Sequence, residues 1–166
     1  MQSHQYSFYG KNTKEEIMRA KFKRKKGPVR AKKVTHDGID FASGLEKYMY
    51  IALRKAKIKF TYELRSFELL PSFSFNQDCY ERQANSKGDY KNRGNKKILG
   101  IKYTPDFEGD NFIIETKGRA NESFPMRYKL FKNLIANTYP DTILYKPQNQ
   151  KECDMTVELI LEHKNQ

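Results

Sequence analysis

The chain is poor in the residues that most often build soft-metal, redox and nucleophilic sites. It has two cysteines, Cys79 and Cys153, 74 positions apart, which form neither a CxxC pair nor a zinc pattern. They read as ordinary cytosolic thiols. His4, His36 and His163 are equally scattered, so a histidine-based metal or nucleophile site is not expected. No apolar run approaches the roughly 20 residues of a membrane span. No basic stretch carries a strong apolar face, so a membrane surface is set aside as a partner. No secretory h-region follows Met1, and a cytoplasmic, non-secreted protein is the expectation. Internal repeats are lacking, as are zinc fingers and a clear helix-turn-helix. Nothing asks for a small-molecule cofactor.

What is present is positive charge. The 166 residues suit one domain of ordinary size, and their formal charge of +12 is uneven. Residues 1–33 hold eleven Lys or Arg against two acids, Glu15 and Glu16, a surplus of nine. Such a block favours a polyanion, because each neutralised phosphate releases a condensed counterion. The run "KFKRKKGPVRAKK" repels itself and buries little. Residues 1–33 therefore read as a basic arm, with Arg24, Lys25, Lys26, Arg30, Lys32 and Lys33 as candidate phosphate contacts. The plainer alternative is a solubilising tail. "TKEEIMRAKFKRKK" has the makings of a short helix, stopped by Gly27-Pro28.

Residues 34–166 read as the folded domain. Asp37-Gly38 signals a turn. Leu45, Tyr48, Met49, Ala52, Leu53 and Ala56 recur on one face of a helix, and Ser43 with Glu46 has capping-box spacing at its start. "KFTYELRSFELLP" predicts a strand ended by Pro71. Residues 76–97 have almost no aliphatic side chain and six Lys or Arg against three acids, which predicts a loop or flexible insertion. "ILGIKYT" and "NFIIETK" predict strands, the second with Phe112 and Ile114 on one face and Ile113, Glu115 and Lys117 on the other. "FPMRYKLFKNLIANTYP" predicts a second helix. "TILYK" and "TVELILE" are expected as the last strands, with a helix open for the final one. The sum is an α/β domain, a mixed sheet flanked by helices.

Three side chains suggest chemistry. Asp106 follows Pro105 where a strand ends; Glu115 and Lys117 lie two residues apart on one face of the next strand. The turn Glu108-Gly109-Asp110-Asn111 brings the two strands together. Hard cations such as Mg²⁺ take oxygen ligands. A cation beside a phosphate, with a Lys at hand, is the equipment of phosphodiester hydrolysis. The competing reading is charge alternation on a solvated strand. Against it stand the Ile113-Ile114 run, which implies burial where an unpaired Glu or Lys would be costly, and Gly118, which would allow a close backbone approach. Glu46 is a fourth candidate, and closing the capping box would not prevent it from also taking a metal.

These residues carry a resemblance. "YTPDF…IIETKG" resembles the core motif of the PD-(D/E)XK nuclease superfamily. Within it the chain is most similar to the phage endonuclease I family, which resolves Holliday junctions. "SGLE" (Ser43–Glu46), "KIKFTYE" (Lys57–Glu63), "YTPDF" (Tyr103–Phe107) and "ETKG" (Glu115–Gly118) occur in that family's order over about residues 41–140. A second likeness is to phage-encoded domains of the same superfamily without assigned role, through "DGIDFASGLE", "FELLP" and "YKLF". The resemblance implies a restriction-endonuclease-like core and metal ligands at Asp106, Glu115 and Glu46, with Lys117 catalytic. It also implies Mg²⁺, with Mn²⁺ as substitute, a homodimer, branched DNA as substrate, and a host-cytoplasmic setting for a phage-encoded chain. The longer basic arm, the 76–97 insertion and the sequence past Tyr145 depart from the pattern. They bear on the dimer and on junction resolution, not on the metal site.

Further DNA contacts are expected at Arg119, beside the motif, and at Arg127, Lys129 and Lys132 on the following helix. Each helix residue singly fits a solvated face as well. Tyr90, inside the basic insertion, could stack on a base. The expected function is a metal-dependent endonuclease selecting DNA by shape. The alternatives are a nuclease for duplex, nicked or flap DNA and a non-catalytic DNA-binding protein that keeps the fold.

Overall fold

A computed structural model describes residues 33–118, 121 and 123–164. Arg119 and the arm residues Arg24, Lys25, Lys26, Arg30 and Lys32 lie outside these. Lys33 is described and exposed. The short helix expected within "TKEEIMRAKFKRKK" also falls outside.

The domain opens with a hairpin, β1 (Val34–His36) and β2 (Ile39–Phe41). Its turn residues Asp37 and Gly38 have φ of 50° and 75°, the left-handed region that the Asp-Gly pair tolerates best. Helix α1 (Gly44–Lys55) follows. Ser43 caps it by accepting from the Glu46 N–H, while Arg54 and Lys55 lie in its last turn, where cations suit the helix dipole.

The central sheet is built from β3 (Thr61–Tyr62), β10 (Phe107–Glu108), β11 (Phe112–Ile114) and β12 (Ile143–Tyr145). Its strand order is β12-β11-β10-β3. β10 pairs antiparallel with both β3 and β11, whereas β11 and β12 run parallel. The parallel pair is joined by α2 (Phe124–Thr138), the crossover such a pair requires. Pro at the start of α2 fits a first turn, whose N–H groups have no helical partner.

Alternation along β11 sends side chains to two cores. Phe112 and Ile114 join Met49, Leu53, Phe107, Tyr145 and Cys153 on one side of the sheet. Ile113 joins Phe67, Tyr103 and the α2 residues Phe124, Tyr128, Phe131 and Ile135 on the other. The result is a mixed sheet with helices on both faces, as expected from the sequence.

The last helix, α3 (Gln150–Lys164), packs on α1. "TVELILE" is thus helical and not a strand. Cys153, Thr156 and Ile160 recur at helical spacing and are its buried residues. None of the described helices is long and apolar enough to cross a membrane.

Two expectations need correction. "KFTYELRSFELLP" is not one strand. It breaks after Tyr62, where Glu63 turns to a φ of 44°, and resumes as β4 (Phe67–Leu70) in a separate pairing with β9 (Ile101–Tyr103). The polar segment 76–97 is also more than a loop. β5 (Phe73–Phe75) pairs with β8 (Lys96–Ile98), and β6 (Tyr80–Glu81) with β7 (Lys91–Asn92). Cross-strand hydrogen bonds satisfy its backbone without an apolar core.

Phe107 is fully buried, meeting Phe60 edge-on and Tyr62 at a tilt, and it directly follows Asp106. Phe107→Ala is expected to cost about 3–5 kcal/mol, read from urea unfolding. A cost below about 1 kcal/mol would contradict this packing.

Candidate metal centre

Four elements deliver four carboxylates to one place. Glu46 stands in the first turn of α1, Glu63 at the break after β3, Asp106 just before β10 and Glu115 just after β11. Oxygens of Glu46, Glu63 and Asp106 lie within 4.8 Å of one another. Glu63 is held there by its backbone, whose N–H donates to the Asp106 carbonyl at 2.9 Å. Glu46, Asp106 and Glu115 are buried and Glu63 is exposed.

Glu46 does keep its capping role. Its Oε1 accepts from the Ser43 hydroxyl at 2.9 Å, and Oε2 from the Ala42 N–H at 2.8 Å and the Tyr62 hydroxyl at 3.1 Å. A carboxylate offers about four lone-pair sites, so capping leaves Glu46 room for a further partner. Asp106 is oriented by one neighbour. Its Oδ2 accepts from both the N–H and the hydroxyl of Thr116, each at 2.6 Å. Among the described residues no donor reaches Asp106 Oδ1 or either oxygen of Glu115.

Glu115 is the least satisfied of the three buried acids. The Lys117 ammonium lies 3.8 Å from its Oε1, an ion pair without a hydrogen bond. The Tyr103 hydroxyl, itself buried, lies near enough to favour the Glu115 anion but does not close to a hydrogen bond. Lys117 is half-buried, with Nζ 4.9 Å above the Phe124 ring. The strand carrying both residues continues its pairing past β11, with Glu115 N–H to Tyr145 O and Lys117 N–H to Pro147 O, each 3.0 Å.

Crowding and burial act together on these acids. Desolvation, then the Glu115 charge, push Asp106 well above the usual carboxylate range, although Thr116 pulls the other way. Burial also raises Glu115, against the opposing pull of Tyr103 and Lys117. Glu63, exposed but partly desolvated on the side facing the cluster, is raised by that desolvation and then by the Glu46 charge. Buried acids with so few cations are costly to hold ionised. An oxygen-only donor set with open lone pairs suits a hard divalent cation, and Mg²⁺ or Mn²⁺ would fit it.

The structure thus brings Glu46, Glu63 and Asp106 together, with the Glu115–Lys117 pair beside them. Sequence reasoning placed Glu63 in mid-strand. The available signal was an acid at the end of an aromatic run, just as Asp106 follows the Tyr103 run. Gly118 plays a smaller part than expected, since an added Cβ would meet only Gln148 O at 3.6 Å.

The expected phosphate contacts divide. Arg127 is exposed, donates to the Lys102 carbonyl and stacks 5.8 Å over Tyr103. Its charge lowers the Glu115 pKa, which places it beside the cluster. Lys132 is exposed 5.1 Å over Tyr128, and Lys129 is exposed on the same helix. A surface cavity of about 870 Å³ lies elsewhere, along Ile39, Tyr50, Arg54 and Phe60, and shares only Tyr62 with the surroundings of the cluster.

The raised carboxylates set a pH dependence in the metal-free protein. An unfolded carboxyl titrates near ~4. Between that value and the raised native one, the folded state keeps a proton that the unfolded state has lost. Their stabilising contribution is thus fully present below the ordinary range and disappears as pH rises through the native value. Asp106→Asn keeps a carbonyl for Thr116 and removes the charge. In EDTA near pH 8 it should be more stable than wild type by about 1–3 kcal/mol, measured by chemical unfolding. Equal or lower stability would contradict the crowding described.

The chain belongs to the family described as "Protein of unknown function (DUF1064)", whose sequence model matches residues 24–146. No curated protein and no solved structure matches it.

Proposed function

We propose that this DUF1064 member is a metal-dependent DNA endonuclease that hydrolyses phosphodiester bonds, with branched DNA as its substrate. The observation carrying this reading is the meeting of Glu46, Asp106 and Glu63 within 4.8 Å, with the Glu115–Lys117 pair beside them. The likeness of the same positions to the PD-(D/E)XK motif supports it, and the basic N-terminal sequence supports a nucleic-acid partner.

Asp106, Glu46 and Glu115 would hold the cation, with Glu63 as an additional oxygen donor. Bound there, Mg²⁺ or Mn²⁺ would supply Lewis-acid polarisation of a phosphoryl oxygen and a more acidic water. Thr116 fixes the rotamer of Asp106, so the free Oδ1 keeps a constant direction. Ser43, Ala42 and Tyr62 do the same for Glu46. Lys117 would stand beside the attacked phosphate, offsetting its charge and orienting the attacking water. Packing over Phe124 limits the rotamers of its stem. Arg127, exposed next to Glu115, is the best placed of the helix cations for a neighbouring phosphate. Resolving a junction requires two cuts, so a homodimer in a cytoplasmic, phage-related setting completes the proposal.

The test is cutting of a labelled four-way junction and a matched duplex, with Mg²⁺ or with EDTA. Wild type should cut the junction in Mg²⁺ only, and Lys117→Ala should lose at least about 10²-fold in rate. Undiminished cutting by Lys117→Ala would remove the assigned site. Equal cutting of both DNAs would keep the nuclease and discard the branch preference.

A further inference from the structure

The segment from β4 to β9 forms one long two-stranded ribbon. β4, β5 and β6 run outward; β7, β8 and β9 return in antiparallel pairing with them. The register slips by one residue at Glu68/Leu70. It slips again where four residues, Asn76 to Cys79, face three, Arg93 to Asn95. Bulges of this kind increase twist. The second slip is filled by Asn92, whose Oδ1 accepts from the Cys79 N–H at 3.1 Å and the Gly94 N–H at 2.9 Å, and whose Nδ2 donates to Asp78 at 2.6 Å. A Cβ on Gly94 would lie 1.9 Å from the Gln77 carbonyl oxygen, so the site admits only glycine.

Such specific construction in a segment with almost no core suggests that it is kept for what it displays. Tyr80 pairs with Asn92, and Tyr90 lies two residues before Asn92, so both tyrosines share one face. They are 58% and 66% exposed, with ring centroids 6.3 Å apart and planes 36° from parallel. Along the same ribbon Arg82, Lys87 and Lys97 are exposed and meet no carboxylate among the described residues, whereas Lys96 is paired with Glu81, and Lys91, opposite Glu81, lies on the other face. Residues 76–97 carry six Lys or Arg against three acids.

We propose that Tyr80 and Tyr90 form a stacking platform for unpaired bases of DNA, with Arg82, Lys87 and Lys97 along the ribbon engaging the neighbouring phosphates. Aromatic faces take up bases that have left the helical stack, whatever their identity, while cations track the backbone. Duplex bases are already stacked, so duplex DNA meets only the charges. The ribbon thereby distinguishes branched or frayed DNA from linear duplex. This inference deepens the DNA reading above and rests on its choice of partner.

The test is binding by the full chain in EDTA, where no cutting occurs. The probes are a fork carrying 2-aminopurine at its first unpaired position and a matched linear duplex. Wild type should quench the 2-aminopurine. Tyr80→Ala with Tyr90→Ala should lose the quench and bind the fork about 10- to 100-fold more weakly, given what each base–aromatic stack contributes. Duplex affinity should stay unchanged, and Tyr80→Phe with Tyr90→Phe should retain both properties. Fork binding and quenching unaffected by the alanines would overturn the proposal, as would equal losses on fork and duplex. A wild type that grips the fork through the tyrosines yet cuts nothing in Mg²⁺ would uphold the platform and remove the nuclease.

Discussion

The two hydrogen bonds from Thr116 to one oxygen of Asp106 tie the strand carrying Glu115 and Lys117 to the start of β10. Around that clamp the other elements take their places. Glu63 donates its N–H to the Asp106 carbonyl, which aligns β3 with β10. Tyr62, at the end of β3, donates to Glu46 and so fixes the start of α1 against the same edge. A helix start, a strand break and a hairpin are thus joined through polar contacts at one point. Phe107, Met49 and Leu53, all fully buried, form the apolar floor beneath it.

That arrangement works against stability. Burial raises the pKa of Asp106 and Glu115, and a single ammonium at 3.8 Å offsets little of the negative charge. A fold selected only for stability would replace such acids with apolar or hydrogen-bonded neutral groups. Bringing them together is understandable if the missing positive charge is supplied from outside, as a cation and the substrate it engages. The metal reading and the destabilising electrostatics are the same observation seen from two sides.

The parts legible in the sequence were those with a strong local period or a motif. α1 followed from the helical recurrence of Tyr48, Met49, Leu53 and Ala56 behind Ser43; β11 followed from its alternation. Asp106, Glu115 and Lys117 were legible because a Pro, a turn and a two-residue spacing constrain where they go. Glu63 was not, because no Gly or Pro marks the break after Tyr62; a left-handed residue forced by the β10 pairing does. The last helix was ambiguous, since the short apolar run "VELIL" suits either period and only the contact with α1 decides. The 76–97 ribbon was misjudged because it lacks the apolar alternation by which strands are recognised. Its order comes from Asn92 and Gly94, whose roles appear only in three dimensions.

The most direct measurement of the central claim is Mn²⁺ binding by electron paramagnetic resonance at neutral pH. Wild type should remove the free-ion signal in proportion to protein, Mg²⁺ should restore it by competition, and Asp106→Ala should leave it untouched. A wild type and an Asp106→Ala variant that both leave the free-ion signal unchanged would contradict the assignment of these carboxylates to a metal.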